Sequence, residues 1–503
     1  MTDWLVTLPV LLPLLAAGVS LGLAHRALAQ RLLTVVVLTA VLADAVTLLL
    51  RVDADGTAVV RAGGWAPPVG IVLVADLLAA LLLTVSVLVA LAVLVFAVGQ
   101  GTAGDSSETA VPFHPAYLLL VAGIALAFLS GDLFNLFVAF EVMLASSYVL
   151  ITLNAGEARV RAGMTYLMTS LTSSLLFLTA IALVYAATGT VSLAQLADRT
   201  AGLPGGVRTA LAAFLLVVFG IKAAVVPLHF WLPDAYPTAP APITAVFAAL
   251  LTKVGVYAML RTQTLLFPRD QVWWLLAVAA VATMLVGILG AIAQDNVNRL
   301  LSFTLVSHIG FMLFGLALSD AAGLGGTILY VVHHIVVQAS LFLVVGLVVA
   351  RTGTVKLHRM EGEDGAGGGS PLMTVLFLLP ALSLAGLPPF SGFIAKFALL
   401  RAGAADGGAA GWLLSGAALV TSLLTLYAMV RVWRAVSAPA ARPATVVGAG
   451  ARTLTVGASA GMVAAGLAIA VCAGPLSDVT ERAARDLDRP DTYRRAVTLE
   501  EPG

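Results

Sequence analysis

Charge is scarce in this sequence: Asp, Glu, Lys and Arg together make up 11% of 503 residues, while 60% are hydrophobic. Soluble domains carry roughly 25% charged residues, so this chain cannot dress a water-facing surface and reads as an all-α polytopic membrane protein. Its net charge of +1 leaves no basic field to attract nucleic acid. A single cysteine, Cys472, excludes a disulfide framework, an iron–sulfur cluster and a thiolate zinc site; it is expected to pack as a small apolar residue in the last helix. There is no HExxH, no phosphate-cradling glycine loop and no nucleophile elbow, so soluble-enzyme chemistry has no support and no metal or cofactor is expected. The N-terminus, MTDWLVTLPVLLPLLAAGVSLGLA, shows no basic stretch ahead of its apolar run and reads as a retained first helix, not a cleaved signal.

What is abundant is lipid-length apolar sequence. Segments of about 20 residues, the length that crosses the hydrocarbon, recur near 4–24, 32–50, 70–98, 115–130, 133–153, 163–187, 207–230, 241–261, 272–292, 299–318, 324–350, 372–400, 411–434 and 452–473. That makes about fourteen transmembrane helices, with both termini on one side. Four divisions follow: 1–114 with the first three helices, 115–261 and 272–434 with five helices each, and 435–503 with the last helix and a polar tail. Loops and helix ends after odd-numbered spans carry Arg26, Arg31, Arg159, Arg161, Arg299, Arg351, Lys356, Arg359, Arg431, Arg434, Arg442 and Arg452; the others carry only Arg51, Arg61, Arg199, Arg208, Arg261, Arg269 and Arg401. The excess puts the odd loops in the cytoplasm and both termini outside. The tail from Asp478 to Gly503 mixes arginine with acids and is expected to be solvated and partly disordered.

Lysine occurs only at Lys222, Lys253, Lys356 and Lys396, whereas every arginine falls in a loop, in the tail or near a span's end. Lys222 and Lys253 lie well inside apolar spans, and Lys396 follows a proline break late in another. An ammonium at the bilayer centre costs on the order of 2.5–3.5 kcal/mol even on a lenient insertion scale. Arginine stays protonated at any working pH, while a lysine taken into apolar surroundings can give up its proton and take it back. Neutralising a carboxylate as a static strut is the plain structural role for any one of the three; a shared role in moving protons accounts for all of them. A carboxylate is available in GDLFNLFVAFEVMLASSYVLI: Asp132 sits where a helix cap is expected, and Glu141 lies too deep for that. If Glu141 pairs with Lys222, the state of each sets the proton affinity of the other. Asp44, placed inside the second helix, is either another site or an acid bonded to a neighbouring helix.

Proline interrupts the seventh span at Pro227 and Pro233 and the twelfth at Pro388-Pro389, ahead of Ser391-Gly392. Backbone groups freed at membrane depth survive only where protein or water satisfies them, and two interrupted helices in matching positions of two halves point to an inverted-repeat transport site. The halves align through Asp132-Leu-Phe-Asn135 and Asp295-Asn-Val-Asn298, which puts Glu141 opposite Thr304. The second copy then works with His308, His333 and His334, each either a relay between Lys253 and Lys396 or a polar contact between helices. His114 reads as structural, and His229, beside Pro227, lines water or caps freed carbonyls.

GDLFNLFVAFEVMLASSYVLITLNA, KAAVVPLHFWLPDAYPTAPAPITAVFAALLTKVGVYAMLR, RLLSFTLVSHIGFMLFGLAL and GLPPFSGFIAKFALLRA together resemble the antiporter-like subunits shared by respiratory complex I, membrane-bound hydrogenases and Mrp multisubunit sodium/proton antiporters, closest to the Mrp D subunit. The resemblance covers nearly the whole chain up to the last helix. It implies two inverted five-helix repeats with broken seventh and twelfth helices, and a hydrated mid-membrane axis along which Glu141, Lys222, Lys253 and Lys396 move protons. It also implies other membrane subunits as partners, protons and sodium as cargo, and a cell-membrane location. One position departs: relatives often carry a lysine one turn after the eleventh-helix histidine, where HHIVVQASLF has Gln338, an amide that holds water but takes no proton. A proton-pumping N-like subunit of complex I, or of a hydrogenase, shares the same core chemistry; a scaffold that moves nothing would gain nothing from three buried lysines.

Overall fold

The computed structural model describes residues 2–65, 67–103, 107–153, 156–268, 272–360, 370–438 and 449–498. Arg269 and Arg442, counted above for orientation, and the end of the tail lie outside the described residues. Two outer helices, Thr2–Gly22 (α1) and Ala27–Asp55 (α2), lead into an antiparallel hairpin of Ala58–Arg61 (β1) and Val72–Ala75 (β2), with Ala58 opposite Ala75 and Arg61 opposite Val72. The third span therefore starts at Leu77, not near residue 70: Val72, Val74 and Ala75 are buried as strand, and Asp76 caps Leu77–Gln100 (α3) by accepting from the Ala79 amide at 2.9 Å.

The first copy then runs through Ser107–Leu129 (α4), Leu133–Thr152 (α5), Glu157–Thr188 (α6), Leu193–Arg199 (α7), Gly205–Ala223 (α8), Trp231–Ala235 (α9), Ala241–Val246 (α10), a π-helical turn at Phe247–Leu251, and Thr252–Leu265 (α11). The second comprises Trp273–Ile292 (α12), Val297–Leu318 (α13), Ala321–Thr352 (α14), Leu357–Met360 (α15), Pro371–Ala385 (α16), Ser391–Asp406 (α17) and Ala409–Ser437 (α18). Ala449–Val471 (α19), Ala473–Leu487 (α20) and Pro490–Thr498 (α21) complete the chain. Among the described residues 13 helices are long and apolar enough to cross a membrane. The two halves α16 and α17 supply one more, broken span, so the fourteen expected spans are present.

The repeat is visible bond by bond. Asp132 bridges Ser192 and Asn296 bridges Lys356, an offset of 164 residues in both partners (296 less 132, 356 less 192). The same offset carries Leu133 N→Val191 O onto Val297 N→Val355 O, Leu193 N→Gly131 O onto Leu357 N→Asp295 O, and the capping Gly189 onto Gly353. Helix α6 maps onto α14 end to end. Five spans per copy is an odd number, so the second copy enters the bundle inverted. The Asp-x-x-Asn likeness misaligns the copies by one residue: Asp132 caps α5, but its counterpart is Asn296, which accepts from Asn298 N and Arg299 N. Glu141 is thus matched by Leu305, not Thr304.

Helices α10–α11, α13 and α14 form the centre, with 94% of an 18-residue apolar stretch of each buried, and α1, α2 and α6 lie at the periphery. Loops after odd spans gather at one end, where Arg431 reaches the carbonyls of Ile292 and Gln294 and Arg159 donates to Thr238 O. Loops after even spans gather at the other, with the C-terminal helices. There the expectation of a solvated tail fails among the described residues. Arg482 pairs with Asp53 at 2.8 Å, Arg494 with Asp198 at 2.6 Å, and Tyr493 is 5% exposed, so two of the tail's arginines are spent on helix ends far away in sequence. Cys472 is exposed where α19 gives way to α20, not packed as filler.

Candidate functional site

Helices α5, α6 and α8 pack together and hold the first pair. Glu141, in the middle of α5, accepts a short hydrogen bond from Ser174 Oγ on α6. Lys222 lies in the last turn of α8, its Nζ 5.5 Å from the centroid of the Phe140 ring and within electrostatic reach of Glu141. No direct ion pair joins the two among the described residues. A cavity of about 30 Å³ opens beside Lys222 between Tyr166, Ser170, Trp231 and Tyr236, room for a water. α8 ends because Ala224 turns left-handed (φ 60°) ahead of Pro227, and the freed groups find partners: Trp231 Nε1 donates to Ile221 O at 3.0 Å and Val226 N to Thr283 Oγ1 at 3.1 Å. His229 stays in this break beside Phe303, its Nδ1 buried without a partner.

Lys253 is fully buried. Its Nζ donates to Ala248 O at 2.6 Å, within the π-helical turn that precedes it, a helix defect of the kind that recurs at functional sites. Gly255 brings α11 against the end of α8, since a Cβ there would stand 2.8 Å from Ala223 N; the Lys253 helix and the Lys222 helix therefore touch at their polar ends.

From Lys253 the polar groups continue through the second copy. His334 lies within electrostatic reach of both Lys253 and Lys396, and neither of its ring nitrogens has a partner. His308 bonds the hydroxyl of Tyr330 at 2.5 Å through Nδ1 and faces Thr425 at 3.5 Å through Nε2; its ring centroid is 5.4 Å from that of His334. His333 Nδ1 meets Ser391 Oγ at 2.9 Å, and Ser391 meets Ser383 at 3.1 Å across the second break. Lys396, on α17, reaches back to the end of α16 and donates to Leu384 O at 2.9 Å and Ala385 O at 3.1 Å, its Nζ 4.7 Å from the Phe311 ring centroid. Gly386, left-handed at φ 88°, and Pro388 create the gap it spans.

Buried polar atoms are almost always paired, and an unpaired one costs on the order of 1–3 kcal/mol. Along this one line Thr252 Oγ1, both nitrogens of His334, His333 Nε2, Gln338 Oε1 and Thr421 Oγ1 have no protein partner. Together they describe a track that ordered water would complete. Gln338 Nε2 donates to Leu301 O at 3.1 Å while its oxygen is buried without a partner.

Two sequence candidates stand apart. Asp132, at the mouth of α5, accepts from Asn135 N at 2.6 Å; burial pushes its carboxyl up from the ordinary value, against the amide bonds that pull it down. Asp295 is half-exposed and holds His358 at 2.6 Å. Its partial burial opposes ionisation, yet the bonds from His358 and the charge of Lys356 keep it below the ordinary carboxylate value. Both are loop anchors. Asp44 is buried in α2 with Oδ2 unpaired. Sequence reading missed Ser174, Tyr330, Ser383 and Thr425, which bear no charge and carry no signal beyond helical spacing; Tyr330 lies one turn before His333 and His334.

Known proteins share this architecture. The model of the membrane family described as "NADH:quinone oxidoreductase/Mrp antiporter, TM" matches residues 130–425. The D component of the Na(+)/H(+) antiporter of Alkalihalophilus pseudofirmus is 38% identical over 432 residues, 85% of this chain and 86% of that one. A chain of the Mrp complex from Dietzia sp. DQ12-45-1b superposes with a TM-score of 0.90 at 34% identity, over 99% of this chain and 100% of that one. A chain of the membrane-bound sulfane sulfur reductase, an archaeal respiratory membrane complex, gives 0.87 at 26% identity over 98% and 99%. By the family match and by identity across most of its length, this chain belongs to the NADH:quinone oxidoreductase/Mrp antiporter membrane family.

Proposed function

We propose that the chain is the D subunit of an Mrp-type multisubunit sodium/proton antiporter in a bacterial cell membrane, with both termini outside, carrying protons inward along the buried line so that sodium leaves. The observation that carries this is the line itself: buried amines at Lys253 and Lys396, each donating to backbone carbonyls and to no carboxylate among the described residues, and joined by histidines and unpaired buried polar atoms. A scaffold has no use for such a line. Residues 115–261 and 272–434 form the two transporting repeats, residues 1–114 and 435–503 their flanks.

The roles follow from geometry. A proton arriving at Lys222 from the cavity beside Tyr166 and Ser170 changes the charge that Glu141 sees. Glu141, with Ser174 as its fixed donor, answers by holding or releasing Lys222. The same change of charge, felt at Lys253 across the Gly255–Ala223 contact, drives its proton toward His334 and water. Lys396 takes it up at the end of α16 and passes it on. His308 and His333 steer the water through their hydroxyl partners Tyr330 and Ser391. Pro227, His229, Pro388 and Gln338 shape or line the path without needing to ionise, and Asp132 and Asp295 anchor the loops at its ends. No cofactor enters this scheme, and lipid and the sister subunits are the surroundings it requires.

The test is antiport in everted vesicles. Glu141→Ala and Lys222→Ala should each abolish sodium-induced proton movement while the complex still assembles; wild-type exchange in both variants would end this reading. The likeness to a chain of an archaeal respiratory membrane complex keeps redox-driven proton pumping as the second reading, and the identity to antiporter D subunits favours sodium exchange.

A further inference from the structure

The polar line has a third branch that the scheme above leaves unused. Lys253, Tyr257 and Arg261 stand at i, i+4 and i+8 on one face of α11, 0%, 2% and 4% exposed. They climb from the bundle centre to the end occupied by the C-terminal helices. Tyr257 donates to Phe128 O at 2.6 Å, and Arg261 Nη2 donates to the Tyr257 hydroxyl at 3.2 Å. Arg261 Nη1 meets Asp76 Oδ2 at 2.6 Å, the carboxylate that caps α3.

Above this stack the chain has laid its own tail. Tyr493 of α21 sits over the guanidinium, ring centroid to Cζ 5.1 Å, while the Tyr257 ring faces it at 5.3 Å. The tail is pinned on three sides, by Arg482 to Asp53, by Arg494 to Asp198 and by Arg61 to Val497 O. Arg261 Nε and the Tyr493 hydroxyl remain buried without partners beside a pocket of about 10 Å³ that Asp76 and Asp486 also line, so the branch is polar enough for water up to its outer end. An open route here would join Lys253 directly to that side of the membrane and short-circuit the line to Lys396. The second copy shows the difference: 164 residues on, the positions of Tyr257 and Arg261 are Thr421 and Thr425, uncharged, and Thr425 turns to His308.

We propose that Arg261 is a fixed cationic barrier that keeps protons at Lys253 from leaking to the tail side, positioned by Asp76 and sealed by Tyr493. A permanent guanidinium in a narrow polar passage repels a passing proton, as an arginine does in other selective pores. Asp76 holds it in place, and the two tyrosines exclude the water that would bypass it. The inference rests on reading Lys253 as a proton carrier.

The whole complex is reconstituted in proteoliposomes without sodium, a potassium diffusion potential is imposed, and passive proton influx is read with an internal pH dye. Asp76→Asn with Arg261→Gln removes both charges together, so that no buried ion is stranded, and keeps a capping residue before α3. It should raise the leak about fivefold or more over wild type; Tyr493→Ala should raise it as well, and Arg261→Lys, which keeps the charge, should stay near wild type. Adding Lys253→Met to the neutral pair should return the leak to the wild-type level. A wild-type leak in the assembled neutral pair, or a raised leak that Lys253→Met leaves untouched, overturns the proposal. Sodium/proton exchange by the wild-type complex in the same vesicles reports on the antiporter reading separately, since the leak arms contain no sodium.

Discussion

Gly392→Ala is the sharpest test of the second break. An alanine Cβ at 392 would stand 1.7 Å from Ser383 O, 2.8 Å from Ser383 C and 2.9 Å from His333 Cε1. Two of the three atoms are backbone, so no rotamer change relieves the clash. Restoring ordinary contact at about 3.4 Å requires α17 to move off α16 by roughly 1.7 Å. Lys396 sits one turn further on the same face of α17, and its bonds of 2.9 and 3.1 Å to Leu384 O and Ala385 O do not survive a shift of that size. Overpacking of this kind costs about 1–3 kcal/mol, and two hydrogen bonds from a charged donor are worth roughly 1.5–3 kcal/mol each. The net loss falls on the geometry of proton transfer, where a displacement near 1 Å costs about 100-fold in rate. Sodium-driven proton movement in everted vesicles should therefore drop about 100-fold while the complex remains detectable on a native gel. Gly416→Ala, which meets nothing within 4 Å, serves as the control and should exchange at the wild-type rate. If assembled Gly392→Ala exchanges like that control, Lys396 does not need its seat at the end of α16.

Three further outcomes follow from the same coordinates. Asp132→Ala should lower thermal stability by about 0.5–2 kcal/mol through the lost cap, while Asp132→Asn should match or exceed wild type at neutral pH, because asparagine caps as well and need not ionise. The sign is set by the raised carboxyl of Asp132: the folded state binds the proton more tightly than the unfolded chain, so its advantage is present at acid pH and is lost as pH rises from the ordinary value through the folded one. The gap between Asp132→Asn and wild type should accordingly close on acidification; a gap that widens refutes the burial argument. Gln338→Leu removes an amide that donates to Leu301 O and carries a buried, unpaired oxygen, so exchange should fall by about tenfold or more while stability changes little, because Leu301 O keeps its bond from Thr304 Oγ1. Full exchange in that variant would take Gln338 off the path.

The contrast between lysine and arginine made the line legible before any fold was known, because a residue type avoided everywhere else marks the places where no substitute serves. Lys253 and Lys396 proved buried and Lys222 half-buried beside a cavity, and proline located both breaks. Two features escaped for physical reasons. Arg261 looked like a loop cation since it lies near a span's end, and only the third dimension brings Asp76, some way along the chain, to hold it in place. The tail looked solvated because its charges lie among polar sequence; Arg482 and Arg494 find acids at the ends of helices hundreds of positions away. The copy register slipped by one because Asp-x-x-Asn recurs by coincidence one position out of phase, whereas backbone bridges fix the alignment without reference to side chains.

The register exposes a rule about where these amines sit. The left-handed residues that end the first half of each broken helix, Ala224 and Gly386, fall within two residues of each other under the copy offset. Lys222 lies in the final turn before the first of them, but its counterpart in the second copy is no lysine; there Lys396 arrives from the far half-helix and lays its amine on the terminal carbonyls. Lys253 reaches the same chemistry by a third route, a π-helical turn that presents Ala248 O. A helix C-terminus carries about half a negative charge, and placing a cation there in a partly buried setting is worth up to about 2 kcal/mol, most of what an insertion scale charges for the ammonium. Backbone carbonyls, unlike carboxylates, solvate the amine without fixing its protonation state. An acid opposite each lysine would have made a permanent ion pair, and a well-wrapped apolar site would have left the amine neutral. A lysine resting on carbonyls released by a helix defect can exist in both forms at a small difference in free energy, which is the condition for passing a proton on.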